Sequence, residues 1–267
     1  MRGPGLAGIS STRRDQTVVL AGLASVTAAG WLYTVDQADQ MSAAGAMGGR
    51  SMGATMHTML SMGPWANGEF GLMLAMWVMM MVAMMAPTAA PMTLVYAAVA
   101  RKAALQRNPV APTFVFVAGY LTVWSVFAVL ATLAQRGLAH AALLSPAMAS
   151  NSRLFGGGLL IAAGIYQLTP LKQACLRHCR APAHFLSQHW RRGSIGAYRM
   201  GLVLGAYCLG CCWILMALLF VGGVMNLLWI AAIAAFVLIE KVLPGGPHTS
   251  RIAAAGAVAA GIVSVVL

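Results

Sequence analysis

Charged residues are scarce in this chain, and acidic residues are the rarest of them. Only 8% of the 267 residues are charged, with five acidic residues against 17 lysines and arginines, and 60% are hydrophobic. A soluble domain carries about 25% charged residues because its surface faces water. The composition therefore excludes an ordinary soluble domain and favours a protein whose outer surface contacts lipid.

The sequence also lacks the motifs of pumps and of nucleic-acid-binding proteins. It contains no phosphate-binding loop, no phosphorylation motif and no soluble nucleotide domain, so any transport would be passive or driven by an ion gradient. The net charge of +12 lies in short basic stretches between apolar runs. That distribution is typical of cytoplasmic loops rather than of a nucleic-acid-binding surface, so no nucleic-acid partner is expected.

The apolar runs predict an all-α fold, a polytopic transmembrane helix bundle of about seven helices. The predicted helices are residues 17–35, 70–100, 113–134, 154–171, 199–222, 225–243 and 252–267. A polar tail, residues 1–16, precedes the first helix, and a loop rich in methionine and glycine, residues 36–69, separates it from a six-helix transmembrane domain, residues 70–267. Pro87 and Pro91 are expected to kink or break the second helix.

The distribution of lysine and arginine predicts the orientation of the bundle. Basic residues concentrate in the N-terminal tail and in alternate loops, which places the N-terminus in the cytoplasm of a bacterium and the methionine-rich loop in the periplasm. The first apolar run is longer than a signal-peptide core, and no clear small-x-small cleavage site precedes Asp36. We therefore interpret it as a retained helix in the inner membrane, with a cleaved signal peptide as the alternative.

Methionine is unusually frequent, and 14 of the 19 methionines lie between Met41 and Met92. Six of them lie in the loop beside His57, at positions Met41, Met47, Met52, Met56, Met59 and Met62. In the second helix Met80, Met81, Met84 and Met85 follow helical spacing, as do Met73 and Met76 before them. Thioether sulfur is a soft ligand that favours Cu(I) over hard ions. The alternative is that methionine is a flexible apolar filler of the bundle.

Three cysteines lie within five positions of the fifth predicted helix, in Cys208-Leu209-Gly210-Cys211-Cys212-Trp213. Spacings of three and four residues put the three sulfurs on one face, which Met216 continues one turn later. Cys208 lies about 13 Å along the helix from Arg199, near the middle of a roughly 30 Å apolar core. We interpret this group as a metal site; a thiol–disulfide role and simple packing are the alternatives.

A second cysteine pair follows the fourth helix, in Cys175-Leu176-Arg177-His178-Cys179. The five cysteines of the chain are an odd number and suit soft-metal thiols better than a disulfide framework. If the helix continues, Cys175, His178 and Cys179 converge where an ion would leave the membrane. The alternative is a solvated basic loop with incidental thiols.

Glu240 and Lys241 end the sixth predicted helix. A charged group at membrane depth would be an ion or proton site. We favour the simpler interpretation, in which the two residues form an interfacial pair and Lys241 extends its ammonium group to the membrane surface.

The chain resembles a bacterial family of predicted metal-binding integral membrane proteins, a domain of unknown function. The resemblance covers about residues 70–243. It is carried by Trp77, by Met84-Met85-Ala86-Pro87, by Tyr166-Gln167-Leu168-Thr169-Pro170-Leu171-Lys172 with Cys175 and Cys179, by Cys208-Leu209-Gly210-Cys211-Cys212-Trp213, and by Glu240-Lys241. It implies a metal-binding membrane protein and specifies no substrate.

Together these patterns predict a non-enzymatic membrane protein that handles copper(I), with zinc as the second candidate metal. Methionine and His57 outside would collect Cu(I), sulfurs on the second and fifth helices would pass it inward, and Cys175 and Cys179 would receive it. We expect those two helices to be neighbours, and the relay would not be possible if they lay on opposite sides of the bundle. A metallochaperone or a cuproenzyme is the expected partner; transport, delivery and sensing remain open. The rivals are a thiol–disulfide oxidoreductase that uses Cys208 and Cys211, and a scaffold subunit without a site.

Overall fold

The structure is a computed structural model that describes residues 7–47, 67–105, 111–145, 148–242 and 246–266. Throughout these residues the regular secondary structure is helical, which confirms the predicted all-α bundle. The helices are α1 (Ala7–Met47), α2 (Asn67–Leu105), α3 (Thr113–His140), α4 (Arg153–Leu168), α5 (Pro170–Arg180), α6 (Pro182–His189), α7 (Gly193–Ala217), α8 (Leu219–Gly222), α9 (Leu227–Val242) and α10 (Gly246–Val266).

Five of the described helical segments are long and apolar enough to cross a membrane. They are Gln16–Gln40, Phe70–Ala103, Thr113–His140, Gly193–Gly222 and Thr249–Val266. Helices α4 and α5 would make a sixth span if the bent pair crosses as one unit. The predicted number of about seven is not reached among the described residues, because α9, the sixth predicted helix, has only 16 residues. A membrane span needs about 20 residues.

Helix α1 is longer than the sequence predicts. The loop was expected to begin at Asp36, but the helix continues to Met47. No glycine or proline interrupts residues 31–44, and Gln40 donates a hydrogen bond of 2.8 Å to the carboxylate of Asp36 one turn earlier. His57 and the loop methionines Met52, Met56, Met59 and Met62 lie outside the described residues. Helix α2 likewise runs unbroken through Pro87 and Pro91, where the sequence predicted a kink or a break.

A sharp bend separates α4 from α5. The fourth helix was predicted to reach Leu171, but it ends at Leu168 and the next helix leaves at an angle of 64°. Pro170 cannot continue a helix and restricts Thr169 to extended backbone, whose side chain then accepts a hydrogen bond from the backbone nitrogen of Lys172. Because of this bend, α5 leaves the axis of α4 and packs against α7.

Small residues bring the main helices of the bundle close together. Helix α3 packs along α7, and a Cβ atom added at Gly119 or Gly201 would collide with the backbone of the other helix. Backbones approach this closely in membrane bundles where glycine forms the interface. Helix α2 packs mainly against α1 and α3 rather than along α7. The second and fifth predicted helices therefore do not pack along each other as expected. They are not on opposite sides of the bundle, however, because Lys241 of α9 contacts both Thr88 of α2 and Cys208 of α7.

Candidate metal-binding site

Cys208 lies where side chains from four helices meet in the middle of the bundle. Its sulfur accepts a hydrogen bond of 2.7 Å from Lys241 Nζ of α9 and lies 3.0 Å from the hydroxyl of Tyr120 on α3. The same ammonium group donates to Thr88 Oγ1 of α2 at 3.2 Å. Cys208 is 1% exposed, so this polar group is shielded from solvent on all sides.

The other two cysteines of α7 surround the same turn of helix. The thiols of Cys211 and Cys212 donate to the backbone oxygen of Cys208 at 3.0 and 2.9 Å. Both side chains are buried, as the predicted common face requires. Three thiols therefore lie within about one helical turn, all shielded from bulk solvent.

Helix α5 brings the second cysteine pair to the same place. The thiols of Cys179 and Cys211 are close neighbours. Cys175 packs on Gly210, where an added Cβ atom would lie only 2.8 Å from the cysteine sulfur. The sequence placed these two thiols at a separate exit point. In the structure they join the α7 thiols in a sulfur cluster, a name used below for Cys175, Cys179, Cys208, Cys211 and Cys212.

The interpretation of Glu240 and Lys241 as an interfacial pair is wrong. Both residues are buried, and Glu240 lies between Lys172 Nζ, 2.7 Å from each carboxylate oxygen, and the hydroxyl of Ser250, 2.6 Å from one of them. Arg180 donates to the backbone oxygen of Glu240. These contacts tie α5, α9 and α10 together and hold Lys241 at the depth of the sulfur cluster.

The sequence limits which group can balance the charge of Lys241. Glu240 is the only acidic residue after Glu69, and its carboxylate is already engaged by Lys172. A buried ammonium group without a counter-charge is costly. The acceptor with anionic chemistry beside Lys241 is the Cys208 sulfur, and a thiolate there would supply the balancing charge.

The remaining predicted ligands are less directly connected to the sulfur cluster. Met80, Met81, Met84, Met85 and Met216 are all buried. Thr88, which contacts Lys241, lies one helical turn after Met84, so the α2 methionines share its side of the helix. His178 instead stacks on Tyr207 with ring centroids 4.2 Å apart, and its Nδ1 lies 2.9 Å from the oxygen of Ala174.

Within the described residues, no three cysteine, histidine or carboxylate side chains are arranged to hold one metal ion. The thiol directions explain this finding: Cys211 and Cys212 point to the Cys208 oxygen, while the Cys208 sulfur faces Lys241. A soft ion held by two thiols and a thioether does not require three such side chains.

Sequence reasoning did not identify Tyr120, Thr88 or Lys241 as members of the site. Tyr120 and Thr88 occur singly in apolar helices, with no spacing pattern to mark them. For Lys241 a signal was present, since it follows a long apolar run and adjoins the one acidic residue of that region. Charged residues within an apolar segment indicate a functional position.

Comparison with known proteins provides a family assignment for the region that contains the site. Residues 74–264, more than half of the chain, match the model of the PpoB2 family, which is described as a copper chaperone. No curated protein and no solved structure matches the chain. The matched region includes all five cysteines, Glu240 and Lys241. The match supports the resemblance to a metal-related family, although under a name other than the one expected.

Proposed function

The chain belongs to the PpoB2 family of copper chaperones, and from this premise we propose that it binds Cu(I) at the sulfur cluster within a membrane. A copper chaperone carries an ion without making or breaking covalent bonds, which agrees with the expected non-enzymatic role. The observation that carries the proposal is the convergence of two separate cysteine motifs, the buried thiols of α7 and the half-buried thiols of α5, near the ammonium group of Lys241.

The chemistry of the cluster favours Cu(I) over zinc and over hard cations. The donors are thiols, with neutral thioethers nearby, and the only carboxylate of the region is held by Lys172. Mg²⁺ and Ca²⁺ require several oxygen ligands, whereas thiolates and thioethers favour Cu(I). The charge balance also favours Cu(I), because one Cu(I) ion and the Lys241 ammonium group together neutralise two thiolates. A neutral assembly of this kind suits an apolar interior.

We further propose that the protein spans the bacterial inner membrane with its N-terminus in the cytoplasm. The five long apolar helices support a membrane-spanning bundle. The bias of basic residues toward alternate loops supports the orientation. The α2 methionines then lie between the periplasmic end of the bundle and the sulfur cluster. We propose that they pass Cu(I) along the helix toward α5 and α7, from which a metallochaperone or a cuproenzyme would receive it.

The copper content of the purified protein tests this proposal. Reduced protein in detergent should retain Cu(I) at about one equivalent at this site and should prefer it to Zn²⁺ in direct competition. Replacing Cys208, Cys211 and Cys212 by serine should abolish that retention, because serine keeps the volume and loses the soft donor. The measurement is elemental analysis after competition with a Cu(I) chelator.

A Met81→Leu variant is the matched control, since it removes one buried sulfur of α2 and leaves the cluster intact. It should lose much less copper than the triple serine variant. Zinc binding equal to or tighter than copper binding, or unchanged copper retention in the triple serine variant, would contradict the proposal.

A further inference from the structure

Two methionine sulfurs contact the buried side-chain amide of Gln135, near the N-terminal end of α2. Gln135 Nε2 of α3 donates to Met73 Sδ at 3.4 Å and to Met148 Sδ at 3.0 Å. Gln135 is 2% exposed, and its Oε1 accepts a hydrogen bond of 2.6 Å from Trp77 Nε1. That bond fixes which end of the amide faces the sulfurs, because an indole nitrogen only donates.

The backbone of Met148 adopts a conformation that a non-glycine residue rarely adopts. Its φ angle is +56°, in the left-handed region. Backbone hydrogen bonds hold it there: its nitrogen donates to Ser145 O at 2.8 Å, and its oxygen accepts from Val224 N at 3.4 Å. Unfavourable backbone conformations persist where the surroundings impose them, often at functional sites. Here the conformation accompanies the placement of the Met148 sulfur beside that of Met73.

Met73 lies far from the sulfur cluster along α2 but on the same face of that helix as Thr88. Met73 precedes Thr88 by 15 residues, or about 22 Å of helix, and the residues at three- and four-residue steps between them include Met80 and Met84. Met73 and Met148 are both half-buried, whereas Met80 and Met84 are buried. An ion that arrives at this end of α2 would therefore reach Met73 and Met148 before Met80 and Met84.

We propose that Met73 and Met148 form a second binding site for a soft monovalent cation, Cu(I) or Ag(I), at the entrance to the α2 methionines. The role as an entrance rests on the proposed function. Both donors are neutral thioethers, and each sulfur keeps a lone pair beyond the one that faces Gln135. Neutral thioethers are soft donors, which favour Cu(I) and its analogue Ag(I) over hard cations. Gln135 positions the two sulfurs and does not itself bind the ion.

Methyl NMR with Ag(I) as a diamagnetic probe tests this site directly. The full-length protein, labelled with ¹³C at the methionine methyl groups and held in lipid nanodiscs, is titrated with Ag(I). The Met73 and Met148 signals should shift together, and the Met73→Leu/Met148→Leu variant should bind one equivalent less than wild type. A Met200→Leu variant is the matched control, since it removes a buried methionine of α7 and should keep the wild-type stoichiometry.

A variant with Cys208, Cys211 and Cys212 replaced by serine separates this proposal from the proposed function. If the methionine site exists, the Met73 and Met148 shifts survive in that variant, whether or not the sulfur cluster binds the ion. Wild-type signals of Met73 and Met148 that do not respond to Ag(I), or an unchanged stoichiometry in the double leucine variant, would overturn the proposal. Unchanged total binding in the serine variant would instead count against the sulfur cluster.

Discussion

Lys241 donates to Cys208 from within the bundle, so its ammonium group determines how much negative charge the sulfur cluster can carry. Two thiolates around one Cu(I) would leave a net negative charge in an apolar medium, which is costly. With Lys241 present, the same assembly is neutral. The role that we assign to Lys241 is therefore electrostatic, and it does not require the lysine to bind the metal.

Replacing Lys241 by leucine tests this role. The substitution keeps an apolar side chain, adds no sulfur and removes the charge, so Cu(I) affinity should fall at least about tenfold, or about 1.4 kcal/mol. Affinity is measured by competition with a chromophoric Cu(I) chelator. Thr88→Val is the control because it removes the neutral partner of the same ammonium group, and it should change affinity less than about threefold. Equal losses in the two variants would show that the charge is not what matters.

Prediction from sequence was uneven for individual residues. The shared buried face of Cys208, Cys211 and Cys212 was predictable because helical spacing alone puts them on one side of the helix. Lys241 was misinterpreted because its depth depends on how α9 packs and on the contact between Glu240 and Lys172, which joins residues 68 positions apart. Local patterns contain no information about a partner on another helix.

Among the elements, α5 has the largest influence on the site. The bend at Pro170 directs α5 toward α7, and Gly210 of α7 leaves room for the Cys175 side chain. Tyr166 at the end of α4 donates to the backbone oxygen of Gly210 and so attaches the bend to the same turn of α7. A proline and a glycine thus position the cysteine pair of α5, although neither can bind a metal.

Gly210→Ala should weaken Cu(I) binding without destabilising the fold. The new Cβ atom would lie 2.8 Å from the Cys175 sulfur, which must rotate away. Rotating one short side chain costs little, and alanine favours a helix over glycine by about 1 kcal/mol. We expect about a tenfold loss of affinity with an unchanged or higher melting temperature in detergent, measured on the same preparation.

The control for this substitution is Gly158→Ala on α4, where an added Cβ atom meets nothing within 4 Å. It should leave the affinity at the wild-type value. Gly119→Ala should behave in the opposite way to Gly210→Ala and lower the melting temperature, because its Cβ atom meets the backbone of α7. Wild-type affinity in Gly210→Ala would show that the packing of Cys175 against α7 does not contribute to the site.

Sequence predicted where helices lie better than where they end. Apolar runs located the long helices because a membrane span needs about 20 apolar residues. The end at Leu168 was missed, although Pro170 is a strong signal, because the apolar character continues to Leu171. Helix α1 was given too early an end at Val35 because polar residues after it were interpreted as a loop, while alanine and glutamine favour helix equally well in solution.

Across the whole molecule, the sulfur cluster forms because helices distant in sequence meet at one level of the bundle. Cys179 and Cys208 are separated along the chain by α6 and by the first half of α7. Their motifs nevertheless meet, because Cys211 of α7 lies beside Cys179 of α5. The sequence predicted that sulfurs on the second and fifth helices would pass the ion to Cys175 and Cys179 at a separate exit point. The fold brings the two cysteine motifs together instead, and we therefore expect one shared site.

Cu(I) affinity in a double-mutant cycle between Cys179 and Cys211 distinguishes one shared site from two. Cys179→Ser, Cys211→Ser and the double variant are compared with wild type by chelator competition, since residues that serve one site give non-additive losses. A shared site predicts that each single substitution removes most of the tight binding and that the second adds little. Full retention of one tightly bound copper in each single variant, with loss only in the double variant, would contradict a single site formed by α5 and α7.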